Sequence, residues 1–247
     1  MVSDRMSVVL ALLDGDRGRR LKAGLSSAAA DAAALALGVD GISAGVGTGP
    51  EGVVLAWGQE TIGVELEDVQ FTLGQGPGID AVAAGVPVLV PDLGGAAARW
   101  PAFVSACGGL GVRAVFAFPL RIGAISVGGL LAHRRSPGPL ADGELADALA
   151  LADAITLFLL HRQSAGAGAI ADDDPTSPRP GWARPATYRA EVHQATGIIS
   201  VQLEVGLAEA LVRLRAYAYG NDLLITEVAA NLVAGRLRFD NRNRYRP

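Results

Sequence analysis

Apolar positions along the chain switch between two periods, and the switches divide it into elements. Over Arg19–Leu37, the residues Leu21, Leu25, Ala28, Ala32 and Leu35 recur at helical spacing, which puts them on one face and predicts a first helix. Short apolar runs bounded by turn residues follow at Gly41–Val46, Gly52–Trp57, Val86–Val90, Ala114–Leu120 and Ala124–Ala132. Their length and their flanking glycines and prolines predict five strands. Helical patterns fall around 61–69, 78–84 and 96–107. A longer one from Gly143 to Arg162 carries Leu145, Leu149, Ala152, Ile155 and Leu159 as one stripe, with Asp142 as its expected cap.

The pattern breaks at 164–187, SAGAGAIADDDPTSPRPGWARPAT, which is rich in Ala, Gly, Asp and Pro and has no apolar period. Beyond it the strand signal disappears. Three helical patterns follow, at 188–203 (Val192, Ala195, Ile199, Leu203), 207–219 (Leu207, Ala210, Leu211, Leu214, Ala218) and 227–238 (Val228, Ala229, Leu232, Val233). The expected organisation is an N-terminal extension (1–18), an α+β domain (19–163), a linker (164–187), a three-helix domain (188–243) and a basic tail (244–247).

Charge divides at the same place. Residues 184–247 hold 9 basic and 6 acidic side chains, net +3, whereas 1–183 hold 12 and 19, net −7. An acidic body with a basic end points to two tasks.

Several function classes drop out. Cys107 is the sole cysteine, so the chain makes no internal disulfide and no multi-cysteine metal site, and His133, His161 and His193 are scattered. No metal site and no cofactor are expected. The longest apolar stretch, Ala148–Leu160, is broken by Asp153 and Thr156 and falls short of the roughly 18 residues that span a bilayer. After the apolar run Val8–Leu13 come Asp14, Gly15 and Asp16 where a signal peptide needs a cleavage site. A cytoplasmic protein is expected. No nucleophile elbow, zinc-protease helix or P-loop appears, so no catalytic residue is assigned. The acid pairs Glu65/Glu67 and Asp142/Glu144 read as solvated helix positions.

The segments LGQGPGIDAVAAGVPVLVPDL (73–93) and RWPAFVSACGGLGVRAVFAFPL (99–120), followed by a strand, a Pro/Gly turn and a long helix, resemble the GAF family over roughly 140 residues. Gly74, Gly76 and Gly78 with Pro77 form a turn entering a helix, and Gly111 and Pro119 bracket a strand. The resemblance implies an antiparallel sheet with flanking helices, and a pocket between the sheet and the 61–107 helices for an unknown small molecule. Trp100, Phe103, Cys107 and Phe116 are its candidate lining, against the plainer reading that they are core. Cys107, in a Phe/Ala/Gly setting, offers little for bilin attachment, haem binding or sulfoxide reduction.

Residues 189–239 resemble the ANTAR family of three-helix domains from bacterial transcription antiterminators. The match rests on Ala195–Ile199 (ATGII), on Glu209, Ala210, Leu214, Arg215 and Ala218, and on Glu227, Val228 and Ala229. The implied function is binding of paired stem-loops in nascent RNA, which prevents a terminator hairpin from forming. Sequence-specific RNA readers combine phosphate contacts with hydrogen bonds and stacking at loop bases. Arg189, Gln194, Thr196, Arg213, Arg215 and Tyr219 have that chemistry, with Arg215 and Tyr219 an i, i+4 pair, and Gly197 is a further candidate RNA-contact position. A glycine inside a helix costs about 1 kcal/mol relative to alanine, so Gly197 marks a close approach by another helix or by RNA. Two departures stand out. Thr196 sits where many members have lysine, and Gly206 replaces a better helix cap. Arg236–Arg246, with five arginines, Phe239 and Tyr245, reads either as an extension of the RNA contact or as a solubilising end.

The combined expectation is a homodimeric regulator, paired through the 143–162 helix, whose GAF domain senses a signal and whose C-terminal domain binds RNA. The alternative is a non-enzymatic ligand-sensing adaptor whose three-helix tail docks a protein.

Overall fold

The computed structural model describes residues 2–19, 27–47, 54–58, 62–164, 183–221 and 223–240. Along the chain run α1 (Asp4–Arg19), α2 (Ser27–Ala36), β1 (Gly41–Val46), β2 (Val54–Gly58), α3 (Ile62–Leu73), α4 (Pro77–Ala84) and β3 (Val88–Val90). A 3-10 turn (Leu93–Ala96), α5 (Pro101–Gly109), β4 (Ala114–Ile122), β5 (Ile125–Arg134) and α6 (Asp142–Ser164) complete the larger part. Then come α7 (Ala183–Leu203), α8 (Leu207–Gly220) and α9 (Ile225–Val233). The five expected strands are present. No single helix among the described residues is long and apolar enough to cross a membrane.

The strands form one sheet in the order β2-β1-β5-β4-β3 with every pair antiparallel. Both faces of its centre are buried, which explains why β4 and β5 read as near-continuous apolar runs. Successive side chains alternate between two cores. Ala114, Phe116, Phe118 and Leu120 of β4, with Leu130 and Ala132 of β5, meet α1, α2 and α6. Val115, Ala117 and Leu131 meet α3, α4 and α5 on the other side. At one end β1 and β5 run so close that a side chain at Gly128 would strike the Gly45 carbonyl. Only glycine fits there. Strand β4 continues through Pro119 to Ile122 instead of ending at the proline. Pairing on its β3 side stops at Val88 opposite Ala117, so a residue without an N–H is tolerated beyond that point.

Two helices differ from expectation. Residues 4–19, read as an extension, form α1, whose Met6, Val9 and Leu13 are buried in the α2/α6 core. The unbroken apolar run Val8–Leu13 hides its period. Ser3 accepts from the Met6 N–H at 3.1 Å and donates its own N–H and hydroxyl to Asp147 of α6 at 2.8 and 2.5 Å, so the cap of α1 is anchored across the domain. Leu21 and Leu25, with which the expected 19–37 helix starts, lie outside the described residues, and α2 begins at Ser27. At α6, Asp142 is already within the first turn and does not cap. Glu144 instead reaches back to the Ala141 N–H at 2.8 Å and pairs with Arg134 at 2.8 Å. That pair, with the Arg134 side chain only 13% exposed, replaces the solvated role expected of Glu144. Arg134 also donates to the carbonyls of Leu37, Gly38 and Pro139, tying the α2 end and the β5–α6 loop together.

The last three helices bury a core of their own: Val192, Ala195, Ile199 and Leu203 of α7, Ala210, Leu211, Leu214 and Ala218 of α8, and Ile225, Val228, Ala229 and Leu232 of α9. Leu237 and Phe239 pack on its edge, Phe239 lies 5.2 Å from the Tyr217 ring, and the Phe239 N–H donates to Gln202 at 2.8 Å. The start of the arginine-rich end is therefore folded against the domain, and residues 241–247 lie outside the described residues. One residue of the larger part, Phe71 of α3, joins this second core. Burying such a ring contributes on the order of 2 kcal/mol.

Two predictions follow from local conformation. Glu204, after α7, has φ 54° and is exposed. A left-handed conformation costs an L residue roughly 1–2 kcal/mol, so Glu204→Gly should raise unfolding stability by about 0.5–1 kcal/mol in urea titrations, part of the relief being offset by the freedom of glycine in the unfolded chain. His133, 4% exposed in β5, has its pKa pushed down to about 4, chiefly by burial, with Asp40 opposing and Arg135 adding to the shift. Between pH 6.5 and 4 the unfolded chain binds a proton that the native state does not. Its stabilising contribution is complete above about pH 6.5 and should fall by about 2–3 kcal/mol by pH 4.5. In urea unfolding at several pH values, His133→Gln should lack that component.

Candidate functional site

The α3/α4/α5 side of the sheet is where the GAF-type pocket is expected. Trp100, Phe103 and Cys107 do come together there, packed with Leu66, Val115 and Leu131. Phe116 does not join them. Odd and even positions of a strand face opposite ways, and Phe116 points into the α1/α2/α6 core. The Trp100 indole N–H donates to Asp80 at 3.2 Å, and Arg99 pairs with the same carboxylate at 2.7 Å while lying 4.5 Å over the indole ring. Trp100 is therefore held from outside the core by its polar edge.

Beside this packed region lies a polar cluster outside the expected pocket lining. Ser43 of β1 and Glu67 and Gln70 of α3 are all buried, and the Ser43 hydroxyl lies 3.5 Å from Glu67. Gln70 accepts the Gly78 N–H at 2.7 Å through Oε1, while its Nε2 has no acceptor among the described residues. Such a buried donor is costly to leave unmade. The glycines of the QGPG turn leave room for this amide, and Gly76 also holds a φ of 146° that disfavours a side chain. An added Cβ at Gly76 would come 2.6 Å from Gln70, and one at Gly78 would come 2.9 Å from it. Glu67, expected on a solvated face with Glu65, is buried because α3 turns Gly63, Leu66, Glu67, Gln70 and Phe71 inward. Glu65 is exposed. The signal was available: Gly63, Glu67 and Gln70 are spaced i, i+4, i+7 within the stripe that carries Leu66 and Phe71.

The candidate RNA-contacting residues separate into distinct environments. Arg189 lies on α7, but its side chain is outside those described. Gln194 is exposed and Gly197 half-buried, and both line an open groove of about 630 Å³ with Ile198, Val201, Gln202 and Val233. No described atom outside α7 comes within 4 Å of a Cβ added at Gly197, so among the described residues no helix makes the close approach that the glycine implied. Thr196 is buried and donates its hydroxyl to the Val192 carbonyl at 2.7 Å; it faces the bundle core rather than the surface. Arg213 is exposed and paired with Glu209 at 2.6 Å one turn earlier, an arrangement worth a few tenths of a kcal/mol and easily exchanged for another anion. Tyr219 is 71% exposed. Arg215, the expected partner of Tyr219, turns away to α3, where Nε donates to the Phe71 carbonyl at 2.9 Å and the guanidinium lies 5.6 Å from the Phe71 ring. Gly206 caps α8 with no side-chain bond, as its sequence implied. Among the described residues no group of three or more His, Cys, Asp and Glu side chains is placed to hold a metal.

Cys107 is fully buried, and burial pushes its thiol pKa up to about 12. Reactivity requires the thiolate. The native protein should therefore consume less than about 0.1 equivalent of an aromatic disulfide reagent at pH 8 in minutes, rising to one equivalent in denaturant; rapid native labelling would show that the α5 core opens.

No family model and no curated protein matches the chain. Solved structures do. The GAF domain of a phosphoenolpyruvate-protein phosphotransferase from Coxiella burnetii is 18% identical, with a match covering 67% of this chain and 99% of that one at a TM-score of 0.50. The phycoerythrobilin-bound GAF domain of a cyanobacterial phytochrome is 11% identical, covering 67% of this chain and 100% of that one, also at 0.50. Over about two thirds of its length this chain has the GAF fold.

Proposed function

We propose that the chain is a non-enzymatic, cytoplasmic transcription antitermination regulator. In this reading the GAF domain is the sensor and the three-helix unit is an ANTAR domain that binds paired stem-loops in nascent RNA. The observation that carries it is the open groove at Gln194 and Gly197. There a helix keeps a glycine that no other part of the described chain requires, beside two amide side chains, in the C-terminal segment 184–247 with its net positive charge. An unstacked base can enter such a groove, with Gln194 and Gln202 reading its edge, while Arg213 and Tyr219 supply phosphate contact and stacking.

Input is assigned to the α3 side. A small molecule bearing a hydrogen-bond acceptor would satisfy the buried Gln70 amide and sit next to Glu67 and Ser43. Homodimerisation is assigned to the outer face of α1 and α6, where Val8, Leu12, Leu149 and Leu157 are exposed, and two protomers would then present two RNA-binding units to two loops.

The test is binding of the full-length protein to RNA with two hexaloop stem-loops, against single-loop and scrambled RNAs, over a salt series. Selective binding to the paired loops, weakening linearly with the logarithm of salt, is expected. Gly197→Gln should fill the groove and weaken that binding about tenfold, or 1.4 kcal/mol. Gly197→Ala should stabilise α7 by about 1 kcal/mol. Salt-insensitive binding of a protein in place of RNA would establish the adaptor reading instead.

A further inference from the structure

The C-terminal unit meets the GAF domain at two places, α7 against β2 and α8 against α3, and the second is built around one guanidinium. Three features of α3 shape its seat. The Phe71 carbonyl accepts from Arg215 Nε at 2.9 Å, the Phe71 ring lies 5.6 Å from the guanidinium carbon, and Gly74 leaves room for both. A Cβ at Gly74 would lie 2.9 Å from Nη1 and 3.2 Å from Cζ of Arg215. The seat is the carboxyl end of a helix, where the last carbonyls lack helical partners and carry partial negative charge, so it favours a cation. A phosphate would compete for the same planar fork of donors.

The seat is also connected to the buried polar cluster. Phe71 packs in the C-terminal core, while Gln70 and Glu67, one residue and one turn before it on the same helix, face the sheet with Ser43. A shift of α3 that re-pairs Gln70 necessarily moves the Phe71 carbonyl.

We infer that the Phe71–Arg215 contact is an autoinhibitory latch, which holds an arginine of the RNA-binding unit on the end of α3 and releases it when α3 moves. This inference rests on the RNA-binding reading above. Burial also draws the Arg215 pKa below its ordinary value, a sign that the guanidinium has given up water that a phosphate contact at the surface would leave in place.

Two variants alter the seat from the sensor side and change no residue of the three-helix unit, although the Phe71 ring packs in its core. Phe71→Ala removes the ring. Gly74→Asn keeps a residue that tolerates the positive φ of 65° but projects a side chain onto the guanidinium. In full-length protein, hydrogen exchange at residues 69–74 and 211–218 reports docking, and titration with the paired stem-loop RNA reports output. Both variants are expected to exchange faster at these amides and to bind RNA about tenfold more tightly than the unaltered chain. Gly74→Asn guards against a Phe71→Ala protein that is too damaged to interpret. Equal RNA affinity in a variant whose exchange shows release would overturn the latch and leave the RNA reading standing. Loss of RNA binding by every chain, released or docked, would overturn both. Exchange at 69–74 that is the same in Arg215→Ala as in the unaltered protein would show that no latch exists, whatever the RNA result.

Discussion

The burial of one sheet on both faces is the constraint from which the rest of the structure follows. Strands β4 and β5 have no face to give to water, so both cores must be roofed, by α1, α2 and α6 on one side and by α3, α4 and α5 on the other. That requirement recruits residues 4–19 into the fold and anchors their cap on Asp147. It also fixes the inward side of α3. Once Leu66 must cover the sheet, Glu67 and Gln70, on the same side of the helix, go inside with it.

Much of this was legible in the chain. Period-2 and period-3.6 segments locate every strand and most helices, because half-buried and buried elements leave a repeating apolar signal. The failures have physical causes. Helix α1 escapes the pattern because Val8–Leu13 is an unbroken apolar run, in which Val9 and Leu13 cannot be told from their neighbours by period, and the residues after it are charged or glycine. Phe116 was placed with Trp100 and Phe103 because a strand buried on both faces shows no alternation from which to tell its sides apart. Thr196 was read as a surface group because a threonine can satisfy its hydroxyl on the preceding turn, as it does on Val192, and so be buried without a partner elsewhere.

The candidate site was less legible than the fold, since the sequence carries no information on which long-range partner a polar side chain finds. Arg215 is the clearest instance. Its chemistry suits phosphate, but its position relative to Phe71 and Gly74 depends on how two separately cored units meet. Gln70 is another, because its burial becomes meaningful only when Gly76 and Gly78 are seen to fold around it. In both cases a glycine without a side chain was the nearest trace that the sequence offered.

The corner between α7 and α8 carries a consequence for anyone reshaping the protein. Within ten residues it holds a glycine inside a helix, a glutamate at positive φ and a helix start without a side-chain cap, at Gly197, Glu204 and Gly206. An algorithm that rewards stability alone would rewrite this stretch first. In doing so it would fill the groove that Gly197 keeps open, yielding a protein that is harder to unfold and has lost its most distinctive surface.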